Sequence, residues 1–176
     1  IQKALVTHCP PPEAGLSLDY GSGTGLVARW LAAGSHRVLA MDVSSGMLAE
    51  LNRQAAAKGL TGIETRLCDA GDVPVPDSVI ACVYASLSLH HVPDPAETIR
   101  AFPRTLVPGG RIAILEMDPY VDPVYQAAHH DTWPGISRGD LCGWLSDAGF
   151  ETPVTAWEQV WTDGRTLYLM VARIPA

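Results

Sequence analysis

The stretch Leu18-Asp19-Tyr20-Gly21-Ser22-Gly23-Thr24-Gly25 carries most of the information about how this chain folds. It joins an apolar, β-like run, Leu16–Tyr20, to a helical pattern, Leu26–Ala33, that Gly34 stops. Three glycines in alternation let another molecule approach the backbone closely. The helix that starts just after them points free N–H groups at any anionic group held there. Asp42 follows roughly 20 residues later, at the end of a second apolar run, Arg37–Met41. A carboxylate at that place accepts hydrogen bonds from both hydroxyls of a ribose. Together these features predict an adenosine-containing ligand at the carboxyl edge of a parallel sheet. The plainer alternative is a tight turn whose glycines only pack, with Asp42 capping a helix. The glycines also leave the ligand open. Position 26 is Leu, which breaks the dinucleotide frame starting at Gly21, but Gly23-Thr24-Gly25-Leu26-Val27-Ala28 satisfies G-x-G-x-x-A.

Working outward, apolar runs keep alternating with helical patterns, the signature of a parallel sheet covered by helices. Ser44 or Ser45 can cap a helix through Met47, Leu48, Leu51 and Ala55 to Gly59. Ile63–Cys68 reads as a third strand, and the turn-rich stretch Ala70–Asp77 follows it. Val79–Leu87 is continuously apolar, as a strand buried on both faces would be. Asp94 and Pro95 open a helix to about Leu106, which Pro103 should kink or end. Pro108-Gly109-Gly110 turns into strand Arg111–Met117. The proline-rich segment Asp118–Gly135 shows no period. Ser137 caps a helix through Leu141, Trp144 and Leu145, ended by Gly149. Val154–Trp161 and Leu167–Arg173, separated by Asp163-Gly164, read as a terminal hairpin on the sheet's edge.

Composition bounds the answer. The 176 residues, 47% of them hydrophobic and 18% charged, fit one globular domain, residues 1–176. A net charge of −7 with no basic stripe argues against nucleic-acid and anionic-membrane partners. No apolar run reaches the roughly 20 residues of a membrane helix, and no secretory signal is visible. Cys9, Cys68, Cys82 and Cys142 form no C-x-x-C, so a reduced, cytoplasmic chain is expected. Cys68 and Cys82 lie in apolar runs and read as buried thiols. A homodimer stays open.

Several motifs then follow in order. Leu18–Gly25 resembles the first motif of the Rossmann-like (class I) S-adenosylmethionine-dependent methyltransferases, small-molecule type. Asp42-Val43-Ser44 with Met47-Leu48 is similar to that family's second block, and Cys68-Asp69-Ala70 to the acidic pair after its third strand. Ser86–Val92, Leu106–Arg111 and Leu141–Phe150 resemble its later blocks, so the likeness runs from about Ser17 to Phe150. It implies an α/β fold: a doubly wound, mostly parallel sheet of seven strands with a C-terminal antiparallel hairpin and helices on both faces. It also implies S-adenosylmethionine as cofactor and a small-molecule methyl acceptor as partner. By matching position, Gly21, Ser22, Gly23 and Gly25 would lie under the methionine and ribose. Asp19 would help hold the methionine amino group and Asp42 the ribose. Val43 and Met47 would flank the adenine, and Asp69 and the Ala70 N–H would meet its edge. Ser86 and Leu87 would lie near the methyl. Two positions depart from the family pattern. Tyr20 replaces an aliphatic residue, and Ile80-Ala81 replaces a pair that ends in a carboxylate.

A sulfonium methyl is already electrophilic, so the protein's task is to align a nucleophile and exclude water. A base is needed only for a protonated, weakly acidic nucleophile. His90 and His91, after the fourth strand, are candidates for that base or for a substrate contact; anchoring of the loop is the plainer role. His129, His130 and Tyr120 are candidates for the acceptor pocket, with Tyr125 and Trp133 forming an aromatic wall or a small satellite core. No metal is expected, because adjacent side chains such as His90 and His91 should face different ways. Two other functions compete. An NAD-dependent oxidoreductase would use the shifted glycine frame, although no Tyr-x-x-x-Lys occurs. A non-catalytic relative would bind the nucleoside without turnover, and Ile1–His8 is short for a lid over the site.

Overall fold

The computed structural model describes residues 1–34 and 36–176. Its elements are α1 (Gln2–His8), β1 (Leu16–Tyr20), α2 (Leu26–Ala33), β2 (Arg37–Asp42), α3 (Ser45–Ala57), β3 (Ile63–Leu67), β4 (Ile80–Ser86), α4 (Pro95–Thr105), β5 (Leu106–Met117), α5 (Pro123–His129), α6 (Arg138–Asp147), β6 (Glu151–Val160) and β7 (Thr166–Arg173). A single 3₁₀ turn, Leu89–His91, follows β4. The seven strands lie in the order β3-β2-β1-β4-β5-β7-β6. The first five pair in parallel, and β7 runs antiparallel to both β5 and β6. The strand order reverses between β1 and β4, and open α/β sheets bind ligands at the carboxyl ends of the strands at such a point.

Strand alternation feeds two cores, one per face. On one face Leu39, Met41, Val83 and Ile114 pack with Ile99 and Phe102 of α4 and Leu141 and Leu145 of α6. On the other, Val38, Ala40, Tyr84 and Leu115 pack with Leu5 of α1, Val27 and Leu31 of α2 and Leu51 of α3. Both faces of the central strands are therefore apolar, which explains the unbroken run in β4.

Caps set the helix starts. Ser44 accepts from the Met47 N–H, Asp94 from Glu97 and Ser137 from Asp140. Four details differ from expectation. Pro103 sits inside α4 without ending it. Pro108-Gly109-Gly110 belongs to β5, as an irregularity where the register shifts between Ile80–Leu106 and Cys82–Arg111. The unread segment contains α5, started by Pro123 and the Asp122 cap; none of its residues is buried, so it carries no apolar stripe to read. In the tail, β6 begins at Glu151 and ends at Val160. None of the described helices is long and apolar enough to cross a membrane.

Candidate functional site

A cavity of about 510 Å³ opens at the reversal point, within the usual range for small-molecule sites. Gly21 and Gly23 form its floor, Asp42, Val43 and Met47 one side, and Leu87, His91, His129 and His130 the other.

The floor is a tight glycine loop pinned from several sides. Gly21, Gly23 and Gly25 have φ of 65°, 52° and 80°. A Cβ on Gly21 would stand 2.3 Å from the Ser88 Cβ, and one on Gly25 would stand 2.5 Å from the Leu51 Cγ. A Cβ on Gly23 would enter unfilled space. The Ser22 N–H donates to the Met41 carbonyl, and the Ser88 hydroxyl donates to the Tyr20 carbonyl. The buried Ser22 hydroxyl has no hydrogen-bond partner among the described residues.

The carboxylates divide their work. Asp42 accepts from the Gly23 N–H at 2.7 Å and the Ser44 N–H at 2.9 Å, and still faces the cavity. Asp19 is 1% exposed and lies outside the cavity lining; it accepts from the Ala28 N–H and so fixes the first turn of α2. Burial raises its carboxyl to about 7, against the pull of the Ala28 hydrogen bond and with the Asp42 charge adding to the rise. Asp69 is exposed beside the cavity, where Ala70 and the half-buried Cys68 form the wall. Tyr20 explains the departure from an aliphatic residue. Its ring packs edge-on to Phe102 at 5.3 Å, and its hydroxyl accepts from the Gly71 N–H, tying the loop after β3 to β1.

On the opposite side, the 3₁₀ turn separates the two histidines. His90 is 3% exposed, and its Nδ1 stands 2.7 Å from Glu116 Oε2. Glu116 is fully buried and also accepts from the Leu89 N–H. Burial alone would lower the His90 pKa, but the hydrogen bond and the charges of Glu116 and Asp131 carry it upward. His91 lines the cavity; burial and the neighbouring His90 lower its pKa. The two rings are 4.2 Å apart, and both approach Asp131, so the expectation that adjacent histidines diverge does not hold in this tight turn.

Of the acceptor candidates, His129 and His130 line the cavity. Tyr120 does not: its hydroxyl donates to Asp131 Oδ2 at 2.5 Å. Tyr125 is sandwiched between His129 and Arg165, and the Trp133 indole donates to the Val92 carbonyl, so these aromatics form a satellite cluster rather than a wall. Ser22, Gly25 and Ser86 lie outside the lining. Sequence reasoning missed Tyr20, Ser44, Cys68, Ser88 and Val92 in the wall, and Glu116 and Asp131 behind it. A lone Glu ending the apolar run of β5 was a legible signal for Glu116. Asp131 sits in the segment without period and had none.

The sequence pattern of the methyltransferase domain family matches residues 18–114. The chain belongs to this family. The motifs assign it to the class I, S-adenosylmethionine-dependent branch, with S-adenosylmethionine as cofactor, and the oxidoreductase alternative falls. This methyltransferase is 31% identical over 166 residues to a demethylmenaquinone methyltransferase of Clavibacter sepedonicus, covering 94% of this chain and 67% of that one. It is 33% identical over 103 residues to the ubiquinone/menaquinone biosynthesis C-methyltransferase UbiE of Cellvibrio japonicus, covering 56% and 41%. The chain thus spans two thirds of the first relative and less than half of the second. Its fold is shared by an S-adenosylmethionine-dependent methyltransferase of Mesorhizobium loti, with a TM-score of 0.75, 23% identity and 93% of each chain covered.

The site suits the cofactor. Positive-φ glycines clear the floor, and the unpartnered Ser22 hydroxyl lies in the same loop. Asp42 retains lone pairs for a ribose. Val43 and Met47, 58% and 46% exposed, present apolar surface suited to an adenine.

Proposed function

We propose that this methyltransferase domain moves the methyl of S-adenosylmethionine to a small, largely apolar acceptor, with quinol-type rings the first class to test. One observation supports this reading: a single cavity is lined both by the cofactor residues and by His91, His129 and His130. The bound sulfonium supplies an electrophilic methyl, and the protein supplies position and dryness. Asp42 would hold the ribose, with Gly21, Ser22, Gly23 and Gly25 beneath it. Val43, Met47, Asp69 and Ala70 would frame the adenine, and Ser86 and Leu87 would lie near the methyl. Asp19 would act through the α2 turn. His91 is the member of its pair that reaches the acceptor; His90, held by Glu116, positions it. His129 and His130 would border the acceptor. Relatives named for quinone biosynthesis motivate the acceptor class.

The test has two parts. Calorimetry should show S-adenosylhomocysteine binding that Asp42→Ala weakens by about tenfold or more, the worth of at least one charge-assisted hydrogen bond. Mass spectrometry of reduced demethylquinones incubated with the cofactor should show a methyl gain. Cofactor binding without turnover across a broad acceptor panel would support the non-catalytic reading instead. We infer a cytoplasmic chain, because four free thiols suit a reducing compartment. Sedimentation will decide the homodimer.

A further inference from the structure

Behind the acceptor wall, His90 and His91 meet Asp131, a carboxylate that the methyl-transfer reading does not use. Asp131 and Glu116, with side chains 1% and 0% exposed, share the buried His90 between them. Two buried carboxyl groups therefore face one buried imidazole, and burying polar groups is costly unless each finds a partner. Asp131 Oδ2 is taken by the Tyr120 hydroxyl. Its Oδ1 accepts no hydrogen bond among the described residues and stands 3.6 Å from both His90 Nε2 and His91 Nδ1. The three donor atoms all lie within 4.8 Å of one another.

That spacing is too long for hydrogen bonds and close to the spacing of ligands around an ion. With bonds of about 2.0–2.1 Å, tetrahedral geometry puts neighbouring donors about 3.3 Å apart. A few tenths of an ångström of contraction would bring each histidine to that distance from Asp131, with the two imidazole nitrogens already within 4.8 Å of each other. Each buried donor also has an outer partner. Glu116 fixes the His90 ring through Nδ1 and leaves Nε2 facing Asp131, the carboxylate–histidine arrangement that supports metal ligands. Tyr120 orients Asp131. The His91 contact to the His130 carbonyl, 3.3 Å and exposed, is one a metal bond can replace.

We propose that His90, His91 and Asp131 form a site for one divalent transition-metal ion of the zinc class, set in the acceptor side of the cavity. Two imidazoles and one carboxylate favour such an ion over calcium or magnesium. Three protein ligands leave one position open, and His91 places that position at the cavity. An acceptor oxygen bound there would lose its proton more readily. His91 is then a ligand and not a base.

The test is a titration of the chelator-stripped full chain with Co²⁺ and Zn²⁺, followed by calorimetry and visible absorption. The expected result is one ion per chain with a Kd of about 10 μM or tighter. His91→Ala and Asp131→Asn should each weaken binding by at least about tenfold, and Glu116→Gln by about tenfold. His8→Ala, at the end of α1 and outside the cluster, should not. His91 is half exposed, so its variant keeps the fold, as circular dichroism will verify. No one-to-one binding at about 100 μM ion, or His91→Ala binding at wild-type strength, overturns the site and leaves a proton-sharing cluster. The readout is binding alone, so a chain that binds the ion but methylates nothing refutes the proposed activity and not this site.

Discussion

Gly21 shows how tightly single positions are held. Its φ of 65° strains any side-chain-bearing residue, and the Ser88 Cβ, fixed to its own backbone, cannot rotate out of the way. Gly21→Ala should cost at least about 2 kcal/mol in urea unfolding and reduce cofactor binding together with stability. Asp19 makes a different prediction. The folded chain keeps the proton on this carboxyl up to about pH 7, whereas the unfolded chain releases it near an ordinary carboxylate value. The folded state therefore binds the extra proton, and stability falls as pH rises from about 4 to about 7, then levels. Asp19→Asn keeps an oxygen for the Ala28 N–H and should flatten that slope in unfolding measured at pH 5 and pH 8. A slope unchanged in the variant would assign the pH dependence to another group.

Between elements, the loop after β3 depends on a contact from β1. Tyr20→Phe retains the ring on Phe102 but removes the acceptor of the Gly71 N–H. The expected cost is about 1 kcal/mol. Amide exchange should quicken in residues 68–72, with a few-fold loss of cofactor affinity because Cys68 and Ala70 wall the cavity. Exchange confined to wild-type rates would mean that the loop holds itself. Helix α5 makes the opposite case. It buries nothing, and its neighbours are tied down by Asp131, Trp133 and their partners rather than by an apolar face. Its sequence therefore had no period to read, although Pro123 after Asp122 was a usable start signal.

Across the sheet, β7 lies between β5 and β6 and buries Leu167, Tyr168, Leu169 and Met170. A chain cut before Glu151 would bare the hydrogen-bonding edge of β5. Near-UV circular dichroism should show loss of fixed packing and sedimentation should show aggregation; a monomeric, native-like fragment would make the hairpin dispensable. Much of this architecture was legible from local pattern. The glycine turn, Asp42, the alternating runs and the Ser44, Asp94 and Ser137 caps act over a few residues, where sterics and single hydrogen bonds decide the backbone. The hairpin's place on the edge was legible for the same reason. The joining of His90 to Glu116 and Asp131, the burial of Asp19 and the exclusion of Tyr120 from the cavity were not. Those outcomes rest on which groups packing brings together from distant segments, and the cost of burying a charge depends on neighbours that no short window of sequence contains.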